Sequence, residues 1–146
     1  MNNSPRHREI ACAIIIDRRG RFLFQQRDDI AGILYPGMVG LFGGHREGSE
    51  TFLECVVREV HEELSYFISA DDFQYLTSIL DEDTGTNSGD PVRGEIFVVR
   101  NVPVEAVVVT EGLLLIVQPE EAVALGQRLT PTARLALEAF RTADLI

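Results

Sequence analysis

The chain is 146 residues long, 45% hydrophobic and 25% charged, which fits one domain with a core of its own. Its net charge of −10, from 13 basic and 23 acidic residues, disfavours a long nucleic acid as partner, although a metal can still bridge carboxylates to the phosphates of a small nucleotide. No apolar run approaches the roughly 20 residues of a membrane span, and the N-terminal MNNSPRHRE is too polar for a secretory signal, so a cytoplasmic protein without a membrane partner is expected.

Residues 1–8 read as a flexible segment ahead of the single domain 1–146. Residues 10–17 (IACAIIID) form a nearly continuous apolar run, the mark of a strand buried on both faces. Arg18, Arg19 and Gly20 make a turn, and residues 21–27 (RFLFQQR) follow as a second strand. Residues 28–40 carry Gly32, Pro36, Gly37 and Gly40 and read as a loop; Leu41 and Phe42 then lead into Gly43-Gly44. A helix is predicted from about residue 50 to residue 64, with Ser49 as N-cap and Glu50 in the first turn, where the helix dipole favours an anion. Residues 73–80 and 95–100 are two further strands, separated by the polar segment 81–94. Residues 107–109 and 113–117 are short strand candidates on either side of Thr110-Glu111-Gly112. Residues 119–125 suggest a short helix, and Thr130 caps a last helix that has Pro131 at its first position and ends near residue 143. Strands before, between and after helices imply an α/β or α+β sandwich. Cys12 and Cys55 both lie in apolar patterns and read as small buried hydrophobes, not as a disulfide framework.

The helix 50–64 carries the chemistry. With 3.6 residues per turn and Glu59 set at zero, Phe52, Leu53, Val56, Val57, Val60 and Leu64 fall on an arc from roughly 20° to 160°. Glu59, Glu62 and Glu63 fall between roughly 300° and 40°, on the border of that apolar stripe, with Cys55 among them. Acids at i, i+3 and i+4 repel one another unless a cation sits among them, and a hard divalent ion with oxygen ligands suits such a group. A border position points them into a cleft between the helix and its packing partner. Arg58 stands beside the acids and is placed to hold Glu50 or Glu62 by bidentate hydrogen bonds. His61 falls on the wet side of the helix, and neither it nor His45 suits a hard Mg²⁺.

The surrounding residues match a known spacing. Gly44 leads, five residues follow, and Glu50 comes next; seven more lead to Arg58-Glu59, then Val60, His61, Glu62-Glu63, Leu64, Ser65 and Tyr66. The stretch resembles the signature of the Nudix hydrolases, G-x5-E-x7-R-E-U-x-E-E-x-G-U, where U is a bulky aliphatic residue. Ser65 stands where the family has glycine. It would have to end the helix in a left-handed conformation, which serine adopts at some cost. Tyr66 puts an aromatic in the last U position.

The resemblance implies a mixed sheet between helices and hydrolysis of a pyrophosphate bond in a small nucleotide-type diphosphate with Mg²⁺ or Mn²⁺; a homodimer is compatible with it. It implies Glu62 and Glu63 as metal ligands, Glu59 as ligand or general base, and the Gly43 carbonyl as a further ligand. The matching arginine of the family, here Arg58, orients the acids. Glu111 falls where many members carry an acid that approaches the metals or acts as base, although Glu111-Gly112 alone would read as a turn. Phe42 replaces the family's usual proline near the substrate. Arg27, at the end of the second strand, either reaches a substrate phosphate or faces solvent, and Gly44 lets backbone approach the substrate. Two other functions compete. A non-catalytic nucleotide-binding regulator on the same fold would be expected to lack one or more of the motif acids, yet Glu50, Glu59, Glu62 and Glu63 are all present. A diphosphate isomerase would need a cysteine and glutamate site outside the motif, for which neither Cys12 nor Cys55 is placed.

Overall fold

The computed structural model describes residues 8–80 and 92–143. Most of the polar segment 81–94 and most of the N-terminal segment 1–8 lie outside these residues. Among the described residues seven strands form one mixed sheet: β1 (Arg8–Asp17), β2 (Phe22–Gln26), β3 (Val39–Gly40), β4 (Phe42–His45), β5 (Gln74–Ile79), β6 (Val92–Val102) and β7 (Leu113–Val117). The helices are α1 (Phe52–Leu64), α2 (Pro119–Ala124) and α3 (Pro131–Thr142).

β1 is the centre of the sheet, as its continuous apolar run predicts. Alternate side chains feed opposite layers. Ala11, Ala13 and Ile15 pack with Cys55, Val56, Val60 and Leu64 of α1. Ile14 and Ile16 pack with Ala133, Ala136, Leu137 and Phe140 of α3. The result is the expected α/β/α sandwich.

One edge of β1 runs parallel to β6. Its other edge is shared between two antiparallel partners. The first half pairs with β4, Ile10 opposite His45 through Ala13 opposite Phe42, and the second half pairs with β2 at Ile15–Leu23 and Ile16–Phe22. β2 and β4 therefore diverge along the same edge of β1, and a cavity opens between them.

Three readings of local structure change. The cap of α1 is Thr51, not Ser49: the Thr51 hydroxyl accepts from the Glu54 amide while the Glu54 side chain accepts from the Thr51 amide. That reciprocal box satisfies two of the amide donors orphaned at the helix start. Residues 107–109 are not a strand. The Val108 amide donates to the Leu64 carbonyl (2.9 Å) and the Thr110 amide to the Glu63 carbonyl (3.1 Å), so the segment caps the end of α1 and does not join the sheet. Arg8 already belongs to β1, and β6 extends the strand expected at 95–100 in both directions. Ser65 ends α1 with φ 52° and ψ 34°, the left-handed conformation expected of it.

Candidate active site

The cavity between β2 and β4 has a volume of about 480 Å³. Gly43, Gly44, Glu59, Glu63, Glu111 and Arg27 all line it. The motif helix reaches it because α1 crosses β4 at the double glycine. An ideal Cβ built on Gly44 would lie 2.5 Å from the Glu59 carboxyl carbon and 2.6 Å from its Oε2. Only a residue without a side chain leaves Glu59 that space. Gly43 has φ +146°, and a Cβ there would run into the β1 backbone, 2.6 Å from the Cys12 Cα. Cys55 packs in the same seam and donates from its thiol to the Gly44 carbonyl at 3.5 Å.

Each acid is held differently. Arg58 grips Glu50 with two bonds, Nε to Oε2 at 3.1 Å and Nη2 to Oε1 at 2.6 Å, and donates from Nη1 to Glu59 Oε1 at 2.9 Å. It is therefore a clamp joining the loop before the helix to the acid on it. The Arg58 hydrogen bonds hold the Glu50 carboxyl down to about 2, and the same bonds raise Arg58 above the usual arginine value. Glu63 Oε1 accepts from the Gly43 amide at 2.7 Å. Burial pushes the Glu63 carboxyl up to about 8, the Gly43 bond opposes this, and the charges of Glu59 and Glu111 push it further up.

Glu111, from a segment distant in sequence, lines the same cavity. Its segment is tied to α1 through the Thr110 amide and through the Thr110 hydroxyl, which donates to the Glu62 carbonyl at 3.4 Å. Arg27 lines the cavity while its Nε donates to the Leu34 carbonyl at 2.7 Å.

Two expected site residues lie elsewhere. Phe42 is fully buried beneath α1 and has no surface to offer a substrate. Its side chain packs in the layer beneath α1, whereas Gly43 and Gly44, which have no side chain, leave their surface open to the cavity. Glu62 is not brought in with Glu59 and Glu63. Its side chain is 60% exposed and sits 3.6 Å from Arg58 on the rim. Among the described residues no three His, Cys, Asp or Glu side chains are close enough to hold a metal as they stand. His45 and Glu47 line the cavity without having been expected there, and so does Gln25, a buried polar residue inside the apolar run FLFQQ. A glutamine at a core-facing strand position was the one signal for it.

A family model described as NUDIX domain matches residues 5–143. The chain belongs to this family. No curated protein matches it. Among solved structures, the ORF135 protein of E. coli is 26% identical, with 99% of this chain and 95% of that chain covered and a TM-score of 0.73. The MutT protein of Methanosarcina mazei Go1 is 23% identical over 99% of each chain, with a TM-score of 0.75. A MutT NUDIX hydrolase of Burkholderia pseudomallei is 24% identical, with 92% of this chain and 98% of that chain covered and a TM-score of 0.73. As a Nudix protein the chain is a pyrophosphohydrolase, of a family that acts on small nucleotide-type substrates and generally needs divalent metal ions.

The donor chemistry of the cavity suits such an ion, though its acids are not gathered around one point as they stand. Glu59, Glu63 and Glu111 offer oxygen donors, as a hard cation requires. Burial above all, and then the charges of Glu59 and Glu111, raise the Glu63 carboxyl, and a cation beside it would favour its ionised form. Arg58 occupies only Oε1 of Glu59, which leaves Oε2 for another partner.

Proposed function

We propose that this Nudix enzyme hydrolyses the pyrophosphate bond of a nucleoside diphosphate linked to another moiety, such as a nucleoside triphosphate, ADP-ribose or a sugar nucleotide. The observation that carries the reading is the meeting, in one cavity, of Glu59 and Glu63 from α1, Glu111 from the loop before β7, and the Arg27 guanidinium. Acids alone would repel a diphosphate. Acids that hold a cation, with an arginine lining the same cavity, would attract one.

Glu59, Glu63 and the Gly43 carbonyl would hold Mg²⁺ or Mn²⁺, with Glu62 swinging in from the rim. When bound, the ion screens phosphate charge and makes water a better nucleophile. The chain's own residues do the rest. Glu59 or Glu111 accepts the proton of the attacking water, a role typically worth ~10²–10⁴-fold. Arg58 fixes the Glu59 rotamer from behind through Oε1. Arg27 pairs with a phosphate oxygen and orients the substrate.

The test is a panel of dNTPs, ADP-ribose, UDP-glucose and a dinucleoside polyphosphate, assayed for nucleoside monophosphate, phosphate and pyrophosphate. Cleavage of at least one compound with Mg²⁺ and none with EDTA is the expected result. Turnover indifferent to EDTA, or none across the panel with either metal, contradicts the reading.

A further inference from the structure

Gln25 is 5% exposed, at the end of a strand whose preceding three residues are all apolar and buried. A buried amide needs a partner. It finds one 86 residues away: Gln25 Nε2 donates to the Glu111 carbonyl at 3.0 Å. The next residue continues the contact. Gly112 has φ +68°, and a Cβ there would run into the Gln26 carbonyl and lie 3.2 Å from Gln25 Cγ. The loop is thus pinned on both sides of its acid. Thr110 ties it to the Glu63 carbonyl of α1, and Gln25 with Gly112 ties it to β2.

We propose that Gln25 is a positioning residue: through the Glu111 peptide it sets where the Glu111 carboxylate stands opposite Glu59 and Glu63. The inference rests on Glu111 taking part in the reaction, as argued above. Gln25 lines the cavity, but its Nε2 is engaged by the Glu111 carbonyl of the chain itself. Its loss therefore lowers kcat and leaves KM nearly unchanged, and its effect passes entirely through Glu111.

The experiment is a double-mutant cycle of Gln25→Met and Glu111→Gln. Methionine keeps the length and volume of the side chain but cannot donate. The first readout is kcat and KM with the fastest substrate of the nucleotide panel. The second is Mn²⁺ affinity, from the EPR signal of free Mn²⁺ without substrate. Gln25→Met is expected to lower kcat about 10- to 100-fold, the scale of a misplacement near 1 Å. In the Glu111→Gln background it is expected to cost no more than about 2-fold, since coupled residues are non-additive. Mn²⁺ affinity should show the same non-additivity, and this readout decides even if no compound of the panel is turned over. Gly112→Ala, which displaces the loop from the other side, should reproduce the kcat loss.

An equal loss from Gln25→Met in both backgrounds would show a merely structural role and overturn the proposal. A raised KM with kcat intact would make Gln25 a substrate contact and overturn it as well. If Glu111→Gln alone changes neither readout, the role of Glu111 fails and this inference fails with it. If Glu111→Gln is costly while Gln25→Met is silent, only the role of Gln25 is lost.

Discussion

The Glu59 carboxylate fills the space that a side chain on Gly44 would occupy, with 2.5 Å between its carboxyl carbon and an ideal Gly44 Cβ. The double glycine is therefore part of the site's shape and not only a turn. Gly44→Ala is expected to push Glu59 aside while α1 and β4 stay paired. A shift near 1 Å costs turnover on the order of 10²-fold. Steady-state kinetics together with a melting curve check this: kcat within a few-fold of wild type would show that Glu59 tolerates displacement and is not held for chemistry.

Arg58 joins Glu50 to Glu59, so Glu50 supports the site without lining the cavity. Its folded carboxyl lies near 2, below the ordinary 4.5, because Arg58 binds the charged form. The sign follows from linkage: the stabilisation is fully present above about pH 4.5 and is lost as pH falls toward 2. Urea unfolding of wild type and Glu50→Gln should therefore differ most near neutrality, with the gap narrowing between about pH 4.5 and the acid limit of folding. A gap independent of pH would mean that the Arg58 clamp does not depend on the Glu50 charge.

Glu63 has the opposite sign. Its folded carboxyl is raised from 4.5 to about 8, chiefly by burial. Between those values the native state binds more protons than the unfolded state, so stability falls as pH rises through that window. In EDTA, the melting temperature of wild type should decline from about pH 5 to pH 8, and that of Glu63→Gln should decline less. Mg²⁺ should restore most of the loss at pH 8 in wild type alone, because it binds the ionised carboxylate. Matching pH profiles for the two proteins in EDTA would remove Glu63 as the source.

The sequence carried the sandwich because the decisive signals were local. The run 10–17 needed two covered faces, and the spacing of α1 placed its acids at the border of the apolar stripe. The cap of α1 was also legible, since Thr51 has Glu54 three residues on, whereas Ser49 has Phe52 there. What the sequence did not show depended on packing and partners that local spacing does not reveal. Residues 107–109 look like a strand, but their backbone is used by the end of α1. Phe42 sits next to the glycines in sequence, yet its side chain packs in the core beneath α1. Glu62 shares a helix border with Glu59, yet its side chain lies exposed on the rim, 3.6 Å from Arg58. Gln25 has its partner 86 residues away, beyond any periodicity.

The central claim is that the cavity between β2 and β4 is where metal and diphosphate meet. The most direct measurement is the anomalous difference map of a Mn²⁺-soaked crystal. Its strongest peak is expected among Glu59, Glu63 and the Gly43 carbonyl, at roughly 2.0–2.6 Å from at least two of these groups, the span set by hard-cation–oxygen bonds. A well-occupied Mn²⁺ bound elsewhere, in crystals of active enzyme whose cavity stays free of metal, would contradict it.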